Sequence, residues 1–331
     1  MKTCAAIVDK ICHLPLAARG ETLRTVTPIA QGSSSEVWRI TTDTASYALR
    51  ILISRQGNSP LQSDVHIRTQ LHAQGGADAA PVAAPVTHGV FPQTPTGENT
   101  GLNWILDCFI PGNHPERGHL PAQTCAGLGK LLSRLHRLEC SGHGRPTAVE
   151  NNVIIGGETS PIAGLNTRFS SPLPITVSDW AAHPFHRITG LHARILPFLH
   201  RIVEKIARAP MVVCHTDLHE GQLICEGDQL RALIDFADVT IADRRWDFGS
   251  LYYFHGDCAL QDVIGAYCEA DPQQNTHQST LISNARLFSL CIALHHAARS
   301  VLPGKSHRFD VALAHIYRVL DRIETGGETP I

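Results

Sequence analysis

Between Val212 and Gly249 the chain reads VVCHTDLHEGQLICEGDQLRALIDFADVTIADRRWDFG, six aspartates and two glutamates set around two apolar strands in a sequence only 18% charged. A carboxylate taken out of water is costly unless a cation, a proton or solvent meets it. Any fold of this chain must therefore supply those acids with a partner. The short strand VVC runs straight into His215, Thr216 and Asp217, residues 230–236 (LRALIDF) read as a second strand carrying Asp235, and CEGDQ between them is a turn signal. A hairpin-like arrangement would bring Asp217, Gln222 and Asp235 to one edge. Those are hard oxygen ligands suited to Mg²⁺, which takes a few carboxylates together with phosphate oxygens. The cluster reads as a site for a metal-bound nucleotide.

Composition narrows the class by exclusion. A chain of 331 residues, 43% hydrophobic, can form one large domain or two smaller units around a cleft. Its net charge of −2 lacks the basic excess of a nucleic-acid binder, so small molecules are the expected partners. The ten cysteines are scattered without a CxxC pair, which reads as reduced and cytoplasmic. Asp9 and Lys10 interrupt the apolar run of MKTCAAIVDKICHL, and no later segment is long and apolar enough to span a bilayer, so neither export nor membrane attachment is expected. The twenty histidines are dispersed and no HExxH occurs; HEGQL at His219 lacks the second histidine.

Patterning divides the chain. TLRTVTPIA, EVWRITT and SYALRILIS predict an antiparallel meander from Glu21 to Ile53. LQSDVHIRTQLHAQGG, with Leu61, Val65, Ile67 and Leu71 at roughly helical spacing, predicts a helix ending at paired glycines. APVAAPVTHGVF and LNWILDCFIPG add two strands, making residues 1–110 a small α+β lobe. Residues 111–331 turn helical: a leucine stripe (Leu128, Leu131, Leu132, Leu135, Leu138), then helical patterns around Asp179–Pro210 and three more after the acidic cluster. The Gly-, Pro-, Ser- and Asn-rich stretch from Ser141 to Thr176 predicts a long surface loop.

HTDLHEGQLI followed by LIDFADVTIADRRWDFGSL resembles the catalytic loop and metal-binding segment of the aminoglycoside phosphotransferase and choline kinase family. The usual form there is His-Gly-Asp, four residues, Asn, then a strand with Ile-Asp-Phe. The likeness covers roughly Val26 to Phe254. A literal His-Gly-Asp at His255 to Asp257 has no such sequel and reads as coincidence within a helix. The resemblance implies an α+β, protein-kinase-like bilobal fold with an antiparallel-sheet N-lobe and a mainly helical C-lobe. It implies an ATP- and Mg²⁺-dependent kinase that phosphorylates a small-molecule hydroxyl. Asp217 then matches the catalytic aspartate that orients the hydroxyl and accepts its proton, His215 the histidine that holds the loop backbone, and Asp235 the metal ligand. Gln222 stands where the family has Asn and offers the same carbonyl oxygen on a longer stem. Asp238, Asp243 and Asp247 match acidic positions after the metal ligand, with Asp247 expected as a helix cap or a partner of the catalytic loop.

In the first lobe, IAQGSSSEVWRI falls at the family's phosphate loop, so Gly32, Ser33, Ser34 and Ser35 are implied to meet phosphates. Arg50 stands where a lysine is commoner, Asp64 where a glutamate pairs with it, and Cys108 and Ile110 where hinge backbone groups receive the adenine. Two rivals remain at this stage: a catalytically weak nucleotide-binding module, motivated by Gln222, Arg50 and Asp64, and a metal-dependent hydrolase, which the lack of HExxH disfavours. Kinship suggests an antibiotic of aminoglycoside type as acceptor, with choline, sugars and amino alcohols as alternatives. A polycation would want an acidic rim, for which Asp257, Asp262, Glu269 and Asp271 are candidates, although a solvated helix face explains them as well.

Overall fold

Alternation sets the first sheet. Along Ser35–Thr42 the side chains of Glu36, Trp38, Ile40 and Thr42 are buried while their neighbours are not, the period of two that a half-buried strand requires. The computed structural model describes residues 5–31, 35–52, 59–75, 80–91, 102–169, 173–271 and 277–325, in two compact units, 1–112 and 113–331. In the first unit the order is α1 (Ala5–Ala18), β1 (Leu23–Gln31), β2 (Ser35–Thr42), β3 (Ser46–Leu52), α2 (Ser59–Gly75), β4 (Pro85–Phe91) and β5 (Leu102–Cys108). The strands form one antiparallel sheet ordered β1-β2-β3-β5-β4. The expected meander therefore continues through β5, with β4 at the edge.

Helix α1 is a feature the sequence reading missed. Val8, Ile11, Cys12 and Leu16 recur at helical spacing and pack on Trp38, Ile40, Tyr47, Leu49, Ile51 and Leu106. The charges at Asp9 and Lys10 that break the apolar run lie on the exposed side of this helix.

The second unit runs α3 (Ala122–Leu135), β6 (Cys140–Ser141), β7 (His143–Glu150), β8 (Val153–Glu158), α4 (Pro161–Phe169), α5 (Val177–Ala182), α6 (Leu191–Arg208), β9 (Met211–Cys214), β10 (Leu223–Glu226), β11 (Gln229–Leu233), β12 (Thr240–Asp243), α7 (Arg245–Ala270), α8 (Gln278–Ala298) and α9 (Arg308–Thr325). The predicted loop at 141–176 is not a loop. Its residues supply β6–β8 and α4, and the strands join β12 and β9 in a sheet ordered β6-β8-β7-β12-β9. Asn151 and Asn152, at φ +49° and +68°, make the two-residue turn between β7 and β8, because two positive φ values are what a type I′ hairpin needs.

VVC, at the end of β9, pairs with β12, while LRAL of β11 pairs with β10 across Gly227 and Asp228. The hairpin carrying Asp235 is thus built from LRAL and a strand, LICE, that is not among the strands the sequence predicts. The leucine stripe of α3 is buried as expected. At Gly129 a Cβ would come within 2.4 Å of the Val263 carbonyl oxygen, so only glycine lets α3 approach α7 this closely. That approach brings His136, just past α3, to Asp247 beneath the loop that follows β9.

Candidate active site

Thr216 is the strained point of the second unit. It is β-branched, stands at φ +74°, and occupies the place where the family motif has glycine. What holds it is Asp247, fully buried in the first turn of α7, whose Oδ2 accepts the His215 amide at 2.9 Å and whose Oδ1 accepts the Thr216 amide at 2.6 Å. The Thr216 hydroxyl adds a bond to the Asp238 carbonyl at 3.0 Å. His136 Nε2 donates to Asp247 at 3.0 Å, while its Nδ1 faces the Tyr267 hydroxyl at 3.2 Å.

The rest of the loop is held in the same way. His215 Nε2 donates to the Ile234 carbonyl at 2.9 Å, and its Nδ1 accepts the Asp217 amide at 3.4 Å, so one neutral imidazole ties the loop to the end of β11. The Leu218 amide donates to Ser250 Oγ at 3.1 Å, and His255 Nε2 donates to the Leu218 carbonyl at 2.9 Å. Burial lowers the pKa of His255, the direction that keeps it neutral. The second His-Gly-Asp does lie within α7, at a kink where Gly256 has φ +79°, yet its histidine supports the loop that carries Asp217.

Six of the eight acids of the cluster separate by their contacts. Asp243 binds Arg245 through the amide at 2.9 Å and through the guanidinium, Asp238 pairs with Arg145 at 3.1 Å, and Glu226 with Arg231 at 3.4 Å. Asp247 is committed to the loop. Asp217 and Asp235 form a different group. Asp217 Oδ2 lies 3.7 Å from His219 Nε2, His219 Nε2 lies 3.3 Å from Gln222 Nε2, and Gln222 Nε2 lies 3.5 Å from Asp235 Oδ2. The Gln222 carbonyl also accepts the Ile234 amide at 2.9 Å, locking the hairpin register next to Asp235, which itself sits at φ +64°. His219 caps the short turn Glu220–Gln222 by accepting the Gly221 amide at 3.0 Å.

Those donors suit a hard cation. Asp217 and Asp235 offer carboxylate oxygens, and rotating the Gln222 amide by half a turn presents its oxygen in place of its nitrogen. A second grouping, His136, Cys214 and Asp247, has potential ligand atoms within 4.8 Å of one another. It does not fit a metal: both Asp247 oxygens accept hydrogen bonds, and burial raises the Cys214 thiol well above its ordinary pKa, against thiolate formation.

In the first unit, the Arg50 guanidinium of β3 pairs with Asp64 of α2, as the sequence suggested, but the pair is buried and larger than a pair. Arg68 Nε donates to Asp64 at 2.6 Å, and Arg68 Nη1 donates to Asp107 at 2.6 Å and to the Ala83 carbonyl at 2.9 Å. Burial pushes Asp64 upward, but Arg50 and Arg68 outweigh it and hold the carboxyl below its usual pKa. At Asp107 burial prevails and the pKa is raised. Arg68 was missed, although its position four residues after Asp64 is the spacing of a helical ion pair. We expect Asp64→Ala to remove the carboxylate that the buried Arg50 and Arg68 guanidinium groups share, leaving Arg68 with Asp107, and to lower unfolding free energy by about 3–5 kcal/mol in urea titrations. A loss below about 1 kcal/mol would show the network to be incidental.

The Cys108 amide donates to the Ala84 carbonyl at 2.9 Å, so only its carbonyl is left for a hinge role, whereas Ile110 makes no backbone hydrogen bond among the described residues. Ser35 begins β2; Gly32, Ser33 and Ser34 lie outside the described residues.

An antiparallel-sheet unit with a buried Arg–Asp pair, and a mainly helical unit with a clamped His-x-Asp loop before a metal-type aspartate, together make a protein-kinase-like phosphotransferase. The phosphotransferase enzyme family (APH) model matches residues 25–275, and the chain belongs to that family. Among curated proteins none matches the sequence. Solved structures share the fold at low identity. A thermostable aminoglycoside phosphotransferase APH(4)-Ia variant, in complex with ADP and hygromycin B, is 13% identical with a TM-score of 0.62, over 95% of this chain and 98% of that one. A putative fructosamine-3-kinase from Thermobifida fusca is 16% identical, TM-score 0.57, over 97% and 99%. Spectinomycin phosphotransferase APH(9)-Ia, in complex with ADP and spectinomycin, is 13% identical, TM-score 0.55, over 95% and 98%. Among the described residues no helix is long and apolar enough to cross a membrane.

Proposed function

We propose that this phosphotransferase moves the γ-phosphoryl group of ATP to a hydroxyl of a small molecule, with Asp217 orienting that hydroxyl and taking its proton. The observation that carries this reading is the run of contacts from Asp217 through His219 and Gln222 to Asp235, on a loop whose backbone Asp247 clamps. Phosphoryl transfer passes through a loose transition state, so placing the acceptor contributes more than basicity, and a carboxylate of ordinary strength is sufficient. A clamped backbone serves that purpose. His215 acts through the loop as a positioning residue. Asp235 and Gln222 are the residues that would hold Mg²⁺, which when bound neutralises charge on the phosphates. Ser35, Arg50, kept in place by Asp64, and the hinge carbonyl of Cys108 with Ile110 are assigned to the nucleotide. Binding of ADP by structural neighbours supports ATP as donor. The described cysteines are all free, which suits a cytoplasmic setting.

An aminoglycoside-type acceptor rests on kinship. Of the acids considered for a polycation, Asp257 is bound by Arg286 at 2.8 Å and by Arg322, and Asp271 lies 3.8 Å from Arg137. A coupled assay of ATP consumption over hydroxylated acceptors, with Asp217→Ala as control, tests the function. Turnover that depends on Asp217 supports a kinase. Turnover that survives the substitution removes the mechanism, and its absence with every acceptor would favour a nucleotide-binding module.

A further inference from the structure

The catalytic loop is bordered by positive charge that no ion pair answers among the described residues. Phe254 of α7 meets His219 edge-on, centroids 5.6 Å apart, and His219 is the residue beside Asp217. On its other side Phe254 meets His296 of α8 at 5.4 Å, and His296 Nδ1 lies 3.3 Å from Nη1 of Arg308, the first residue of α9. Tyr253 stacks on the same His296 ring at 4.8 Å. A continuous run of side chains thus connects Arg308 to Asp217.

Arg308 does not stand alone. Arg299 and Lys305 lie on the turn between α8 and α9, Arg117 lies in the segment before α3, and among the described residues none of the four is in an ion pair. Burial is the first cause of a lowered Arg308 pKa and repulsion by Arg299 and Arg117 adds to it, while Asp217 and Tyr253 act in the opposite direction. Lys305 is likewise lowered by burial, then by Arg299 and Arg308. The nearby acids Glu116 and Asp310 are exposed and pair with none of them.

Helix stability gives no reason for this placement. The first turn of an α-helix is its positive end, where a cation is unfavourable and an anion is welcome. A half-buried guanidinium set against its own helix and its cationic neighbours, joined through His296, Phe254 and His219 to Asp217, has the character of a binding group.

We propose that Arg308, flanked by Arg299 and Lys305, forms the acceptor subsite, and that the molecule phosphorylated carries an anionic group, carboxylate or phosphate, beside its hydroxyl. This rests on the reading of Asp217 as the residue that receives the acceptor hydroxyl. Such a site repels a polycation and orients an anion through the planar fork of the guanidinium.

Isothermal titration of the full chain, free of nucleotide and at fixed ionic strength, with D-glycerate, glycerol 3-phosphate and kanamycin tests the proposal. At least one of the two anions should bind saturably and kanamycin should not; which anion binds distinguishes carboxylate from phosphate recognition. Arg308→Gln should weaken that binding roughly tenfold or more, the loss of one charge-assisted hydrogen bond. Arg194→Gln, whose partner is Glu324 at 3.1 Å, should leave it unchanged. The anion should still bind with AMP-PNP at saturation. Loss of binding under AMP-PNP would assign Arg308 to the nucleotide's phosphates and overturn the proposal. Tighter binding of kanamycin, no saturable anion binding, or indifference to Arg308→Gln would overturn it as well. Failure of the kinase reading looks different: a wild type that consumes no ATP yet binds the anion through Arg308 refutes the transferase role and leaves the anion site standing.

Discussion

Asp217→Ala is expected to lower kcat/KM for acceptor phosphorylation by roughly 10²–10⁴-fold, the contribution of a positioned acid or base, with little change in unfolding free energy. The two expectations follow from different contacts. Asp217 is about a third exposed, and among the described residues only His219, at 3.7 Å, comes within ion-pair distance of it. Removing such a group leaves no buried donor unsatisfied, so a stability change within about 0.5 kcal/mol is the expectation for a surface site. The backbone geometry of the loop comes from Asp247, His215 and Ser250, none of which the substitution touches. Steady-state assays beside urea titrations check both halves. A variant that retains a third or more of wild-type kcat/KM would show that the carboxylate is not where the hydroxyl reacts.

Asp247→Ala should do the reverse and act first on the fold. The side chain is fully buried and accepts three donors: the amides of His215 and Thr216 and the imidazole of His136. Each donor left in the interior without a partner costs about 1–3 kcal/mol, and a total near 3–5 kcal/mol matches other broken buried charge networks. The strain at Thr216 adds to the effect. A β-branched residue at φ +74° stays there because its amide is held, so the loop is free to leave that conformation once the carboxylate is gone. We therefore expect a large drop in the urea midpoint and, where the variant is still folded, a fall in kcat greater than any change in KM for ATP. Destabilisation below about 1 kcal/mol with activity retained would mean that the clamp does not set the loop.

The parts of this site that were legible in the sequence are those whose chemistry is local. HTDLHEGQ and LIDF carry their meaning within one short stretch, because loop, ligand and strand succeed one another along the chain. Partners supplied from afar were not legible: His136 reaches Asp247 across 111 positions, and His255 reaches Leu218 across 37. No spacing rule signals such contacts. Two other elements do carry a local signal. Val8, Ile11, Cys12 and Leu16 give the helical period of α1, and Asp9 and Lys10, which interrupt the apolar run, belong to its outer face. In AVENNVII, two asparagines between β-branched runs mark a type I′ hairpin, which outweighs the loop-like composition around it. Much of the crowding of acids from Val212 to Gly249 is also explained. Four of the eight, Glu226, Asp238, Asp243 and Asp247, serve arginines or the loop's own amides, and Asp217 and Asp235 are the two to which the proposed chemistry is assigned.

The most direct test of the central claim is Mn²⁺ affinity, followed by electron paramagnetic resonance in the presence of AMP-PNP, for wild type, Asp235→Ala and Asp217→Ala. If Asp235 is the metal ligand beside the reacting group, Asp235→Ala should weaken Mn²⁺ by roughly tenfold or more, and Asp217→Ala should cut turnover by the roughly 10²–10⁴-fold given above while leaving the ion bound. Unchanged Mn²⁺ affinity in Asp235→Ala, with phosphoryl transfer intact, would contradict the account.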